Sequence, residues 1–171
     1  MKSLPPVQEG ASVDEIKLAC LRVGAGFYAL DIMGIREIIR PLPIVQVPHA
    51  PTYVDGVITL RKAVIPVVDL RRRFGVPSSD APCVRIVICA VDGRIIGLVV
   101  DEVSEVATFS RDEIRPAPYY MAGADRQFFP AVCRHKGNLL LLLSLRKILS
   151  SDQRIDVEHI QKQALEGETK D

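Results

Sequence analysis

The residues able to do chemistry in this chain are few and scattered. Cys20, Cys83, Cys89 and Cys133 lie inside or beside apolar, strand-like runs, with no Cys-x-x-Cys among them. His49, His135 and His159 fall at no metal-ligand spacing. No zinc site is expected, and the cysteines read as ordinary reduced thiols, mostly buried. Cys133 and His135 are two residues apart and would share one face of a strand, as a thiol and its base must, but no orienting acid accompanies them. Gly24 and Gly26 in VGAGF look like a phosphate loop until the next residues are read. FYALDI is strand-like, so no helix N-terminus follows to hold an anion, and a hairpin turn fits better. The chain has no Gly-x-Ser-x-Gly elbow, Walker-type loop, dinucleotide fingerprint or His-Glu-x-x-His. Neither an enzyme nor a cofactor-binding protein is expected.

Charged residues set among apolar ones are the better candidates. Glu37 lies within GIREIIR, and Arg61 ends the strand-like VITLR. An arginine offers a rigid fork that suits a carboxylate, so the two either order a surface or meet a partner's charges; as unrelated solvated charges they would do neither. Arg71 to Arg73, on a short amphipathic segment, reads as a solvated face. Lys plus Arg number 22 against 21 Asp plus Glu, a net charge of +1, and aromatic residues make up only 5%. Both figures argue against nucleic acid, which needs excess positive charge and stacking surfaces. The longest aliphatic run, Leu139 to Leu143, is too short to span a bilayer, and Met1 to Gly10 lacks the apolar core of a signal peptide. A cytoplasmic protein without membrane insertion is expected.

The elements that must position these residues are mostly short strands. Apolar and β-branched runs bounded by Gly, Pro and Asp predict strands at Leu18 to Val23, Phe27 to Ile32, Val57 to Arg61, Val64 to Val68, Arg85 to Val91, Arg94 to Val100, Val103 to Phe109, Phe128 to Arg134 and Leu139 to Leu143. Short helices are predicted at Leu70 to Phe74 and Leu145 to Leu149, behind the caps Asp69 and Ser144. The chain also repeats. Shifted by 75, Gly56 to Phe74 lies over Ala131 to Leu149, with Arg71 over Arg146; shifted by 68, Tyr28 to Ile38 lies over Ile96 to Val106, with Glu37 over Glu105. Two similar all-β units of about seventy residues are small enough to need a shared core, and strand-rich units of this size close into barrels.

The rest reads as connections. Pro41 to Pro51 holds four prolines and forms an extended crossover. Residues 75–84 are the joint between halves, and Arg115 to Asp125 is a second long loop whose Tyr119, Tyr120 and Met121 either fold onto the core or face a partner. The expected organisation is a flexible segment at 1–15, one domain over 16–150, and a C-terminal helix or tail over 151–171.

The stretch GVITLRKAVIPVVDLRRRFG, Gly56 to Gly75, resembles the signature of the CheW chemotaxis coupling proteins: a Leu-Arg-Gly turn, Ile-Pro-Val, an Asp, Leu-Arg and Phe-Gly. The likeness runs from about Ile16 to Ser150 and includes FYALDIMGIREI, RIIGLVVDEVSEV and EIRPAP. It implies an all-β fold of two SH3-like five-stranded barrels with short helices and a shared hydrophobic core. It implies a non-catalytic adaptor joining chemoreceptor cytoplasmic tips to the regulatory domain of a CheA-type histidine kinase, a monomer alone and part of a larger array. Glu37 and Arg61 match a surface acid and the signature arginine, with Gly56, Val57 and Lys62 in the same stretch as further partner-binding residues. Lys62 departs from the family's glycine, where positive φ is tolerated poorly by a side chain. Ile38, Ile39, Val99 and Val100 are expected in a groove for a receptor helix, unless the core claims them. The alternative is a barrel that binds a small ligand or nucleic acid.

Overall fold

A computed structural model describes residues 14–50, 54–77, 82–118, 123–150 and 165–166. Aliphatic runs separated by tight turns form β1 (Glu15–Val23), β2 (Gly26–Asp31), β3 (Ile35–Ile39), β4 (Val54–Leu60), β5 (Ala63–Asp69), β6 (Arg85–Val91), β7 (Arg94–Val100), β8 (Glu102–Ser110), β9 (Arg115–Pro116), β10 (Ala131–His135) and β11 (Asn138–Leu142). The short helices are α1 (Leu70–Arg73), α2 (Gly123–Phe128) and α3 (Leu145–Ser150). Two elements differ from expectation. IREII is a strand of its own, β3, and Phe128 closes a helix instead of opening a strand. Pro130 follows two residues later, without an amide donor for the ladder, so β10 begins only at Ala131. Tyr119, Tyr120 and Met121 lie outside the described residues.

The strands form two sheets of like order, β8-β1-β2-β11-β10 extended by the two-residue β9, and β3-β6-β7-β5-β4. This agrees with the all-β, double-barrel expectation, and the repeat explains the matching order. A shift of 75 carries Leu140 onto Ile65, and a shift of 68 carries its parallel partner Phe27 onto Ile95, which is the register in which Val67 lies opposite Gly97. The bulges correspond as well. In β1 and β8, Cys20 faces Glu105 and Leu21 faces Val103; in β6 and β3, Ile88 faces Glu37 and Cys89 faces Ile35, each 68 residues from its mate. The third strand of each repeat is exchanged: β3 joins the sheet built on β6 and β7, and β8 joins the sheet built on β1 and β2. The chain therefore changes sheet at the 3-10 turn Ile32–Gly34 and at Asp101. The strands before and after residues 75–84, β5 and β6, belong to the same sheet.

Burial follows the same plan. One cluster fills the six-stranded unit (Leu18, Cys20, Ala29, Phe109, Cys133, Leu140), and another fills the five-stranded one (Ile58, Ile65, Val67, Ile86, Ile88, Val99). The largest lies between them, drawing on both sheets and on the helices. At its centre Tyr28, Phe74 and Phe129 stack with ring centroids 5.1 to 5.8 Å apart, geometry that adds to the area they bury.

The helix α1 packs at the seam between the sheets, which corrects the reading of Arg71 to Arg73 as a solvated face at Arg71 and Arg73, while Arg72 remains exposed. Asp69 caps α1 by accepting from the Arg71 amide at 2.9 Å. The Arg71 guanidinium lies between Asp69 (2.9 Å) and the fully buried Asp101 (3.3 Å), and Asp101 also accepts from the Gly24 amide at 2.6 Å. Arg72 pairs with Asp55, and the buried Arg73 donates to the Ile148 carbonyl at 3.1 Å. Arg71 and Arg73 are held by groups of the seam, because a buried charge persists only when paired.

Candidate partner-docking site

The turn between β4 and β5 projects Arg61 from the end of the five-stranded sheet. Both turn residues are left-handed, Arg61 at φ 50° and Lys62 at φ 68°, the conformation of a two-residue hairpin whose twist matches its strands. Lys62 thus adopts the geometry that a glycine would take there. The Arg61 fork grips Glu37 through two hydrogen bonds, Nη1 to Oε2 and Nη2 to Oε1, the second at 3.0 Å. Glu37 lies mid-strand in β3, directly after its bulge and opposite Ile88. The Arg61 hydrogen bonds hold the Glu37 carboxyl below its ordinary range and raise the guanidinium's own affinity for its proton. Beside the pair, Ile38 is 39% exposed. An outward-facing charged fork beside an aliphatic side chain suits binding a partner more than holding the fold.

The other residues expected to meet partners are placed differently. Ile39 is half-buried against the five-stranded core. Val99 and Val100, 5% and 0% exposed, are core residues, Val99 of the five-stranded unit and Val100 of the shared cluster, because both faces of β7 are covered. Gly56 is buried under the 41–50 crossover: a Cβ there would meet the Val45 carbonyl oxygen at 2.3 Å. Val57 exchanges two backbone hydrogen bonds with Val45, at 2.8 and 2.9 Å. Gly56 and Val57 therefore hold the crossover in place, while Lys62 stands exposed on the turn.

Two features escaped the sequence reading. A groove of about 490 Å³ runs between the five-stranded sheet and α3, floored by Val54, Val68, Ile96 and Leu149, with the Arg146–Asp92 pair (2.6 Å) on its rim. A second charged turn sits on the other sheet. Lys136, 75 residues after Arg61, binds Glu105 at 2.8 Å, and His135 Nε2 lies 3.1 Å from the same carboxylate. The Lys136 hydrogen bond, then that of His135, holds the Glu105 carboxyl below its ordinary range. The alignment of Glu37 with Glu105 was the available signal; Lys136 in place of an arginine obscured it. His135 is thus engaged by Glu105 and edge-on to Phe109. Cys133 is buried, and burial pushes the Cys89 thiol up to about 12. Buried, undissociated thiols are poor nucleophiles.

A double-barrel module that presents a charged fork beside an exposed aliphatic side chain has the make-up of a protein-docking scaffold. The model of the CheW-like domain matches residues 17–153. The chain is 38% identical to the chemotaxis protein CheW of Rhizobium meliloti (strain 1021), over 81% of this chain and 90% of that one. It is 28% identical to that of Treponema pallidum (strain Nichols), over 82% and 85%. The crystal structure of the scaffolding protein TtCheW from Thermoanaerobacter tengcongensis superposes with a TM-score of 0.72 at 27% identity, covering 82% of this chain and 97% of that one. The chain belongs to the CheW family and is a non-catalytic adaptor.

Proposed function

We propose that this protein couples chemoreceptor cytoplasmic tips to the regulatory domain of a CheA-type histidine kinase, working in the cytoplasm as a monomer that gains strength from assembly into arrays. The observation that carries the reading is the Glu37–Arg61 pair on the exposed β4–β5 turn, within a stretch that bears the family signature. A rim pair of this kind chooses among partners through charge complementarity more than it adds affinity. Ile38 supplies the apolar contact beside it, and Lys62 adds positive charge. The groove beside α3 suits the apolar face of an amphipathic helix, the form a receptor tip would present. Each contact is modest, on the order of 1,000 Å², and multivalency supplies the rest. Among the described residues no helix is long and apolar enough to cross a membrane.

The test is a pull-down from native lysate with wild-type and Arg61→Glu baits, both checked for folding by circular dichroism. Recovery of a histidine kinase and receptors by the wild type alone supports the function and the site. Recovery by both baits would discard the site. If neither recovers them, a ligand-binding barrel becomes the better reading.

A further inference from the structure

The duplicated fold fills one of two equivalent places and leaves the other open. In the filled copy Tyr28, Phe74 and Phe129 meet ring to ring at the seam. The shifts that align the two repeats carry Tyr28 onto Ile96, Phe74 onto Leu149 and Phe129 onto Val54. All three aliphatic mates line the groove beside α3, so that groove stands where its twin holds three rings. Its volume, about 490 Å³, lies in the range of roughly 300–1,000 Å³ typical of binding pockets. Smaller side chains on the same backbone plan leave room for an incoming ring, and an aromatic group buries a large apolar area when it enters such a space.

The charges of the two copies differ in the same sense. In the filled copy Arg71 is neutralised by Asp69 and the buried Asp101. Its mate Arg146 has Ser144 where Asp69 would be and Met33 where Asp101 would be. Arg146 pairs instead with Asp92, and both are exposed on the rim. Arg94 lines the same groove, is exposed, and has no ion-pair partner among the described residues. Two guanidiniums against one carboxylate leave this rim with an excess of positive charge.

We propose that the groove takes an aromatic side chain of a partner protein, presented beside an acidic residue. The ring occupies the space that aromatic residues fill in the twin, and the carboxylate meets Arg94 and Arg146 as Asp69 and Asp101 meet Arg71. This rests on the reading of the groove as a docking surface and adds the chemistry of the segment that docks there.

The experiment pans the full chain against a display library of random peptides in three forms, each checked for folding by circular dichroism. These are the wild type, Val54→Phe with Leu149→Phe, which supplies two rings of the twin, and Arg94→Glu, which alters only an exposed position. Peptides enriched on the wild type should share a Phe, Tyr or Trp next to an Asp or Glu, and the ring-filled variant should not bind them. Arg94→Glu should weaken them about tenfold, because it brings like charges together, and a peptide with lysine in place of its acid should bind that variant again. Enrichment of nothing, of peptides without the aromatic and acidic pair, or of peptides that the ring-filled protein binds equally would overturn the proposal. If the ring-filled variant misfolds, binding that is indifferent to Arg94→Glu overturns it alone. Receptors still recovered from native lysate by the folded ring-filled protein would count against receptors as the occupant, with the peptides still deciding what chemistry the groove accepts.

Discussion

At Lys62 the backbone is left-handed although the side chain has a Cβ, and the equivalent turn on the other sheet places Gly137 at that point. Left-handed backbone costs a non-glycine residue about 1 kcal/mol or more, and glycine offsets part of that gain through the freedom it loses on folding. Lys62→Gly should therefore stabilise the fold by about 0.5 kcal/mol, read as a higher urea midpoint, and leave Arg61 in place. A lower midpoint would show that Lys62 contributes contacts that outweigh the strain. Glu37 makes a second prediction. Its carboxyl is held low by Arg61, so the folded form gains from ionised Glu37 at every pH above the ordinary glutamate range, and the gain fades as pH falls through the lowered value. In a carbon-detected titration its midpoint should lie below 4.5, the value for an unperturbed glutamate, and move up in Arg61→Gln. A midpoint indifferent to that change would mean that the pair is not formed in solution. The same titration should show Glu105 responding to Lys136→Gln.

Along the strands, the two barrels solve one packing problem with different residues. Cys20 lies opposite Ala29 in the six-stranded unit; their mates in the other are Ile88 and Gly97. A larger residue on one strand requires a smaller one on its neighbour. A Cβ at Gly97 would approach Ile86 Cγ2 to 2.9 Å and Ile88 Cδ1 to 3.5 Å. Gly97→Ala should cost about 1–3 kcal/mol in urea unfolding. Trimming Ile86 to valine leaves Cγ2 in place, so this second change should not restore stability. Full tolerance of Gly97→Ala would mean that the five-stranded barrel is packed more loosely than its contacts indicate. Element boundaries were largely legible where turn residues flank aliphatic runs. They failed at β3, where IREII alternates half-buried and exposed positions around two charges, and at Phe128, whose aromatic character suits a strand and a core-facing helix equally.

For the molecule as a whole, the exchange of β3 and β8 and the largest core cluster tie the sheets into one cooperative unit. Phe74 belongs to neither barrel's private interior and touches Tyr28 and Phe129 across the seam. Phe74→Ala should cost about 3–5 kcal/mol, and hydrogen exchange should show both sheets losing protection together. Separate transitions for the two sheets would mean that the barrels are independent. Arg71 and Asp101 reinforce the seam from its polar side, a role that composition could not reveal, because a run of three arginines looks solvated until the carboxylates that face it are known.

The repeats, the strand-rich architecture and the Glu37–Arg61 candidates were readable from the chain because they depend on local order: hydrophobic period, turn residues and self-similarity at shifts of 68 and 75. Which repeat lends its third strand to which sheet was not readable, since each shift matches strands without saying where they pair. The same limit separated Val99 and Val100 from Ile38. All three are aliphatic strand residues, and only the covering of both faces of β7 made two of them core and left the third at the surface.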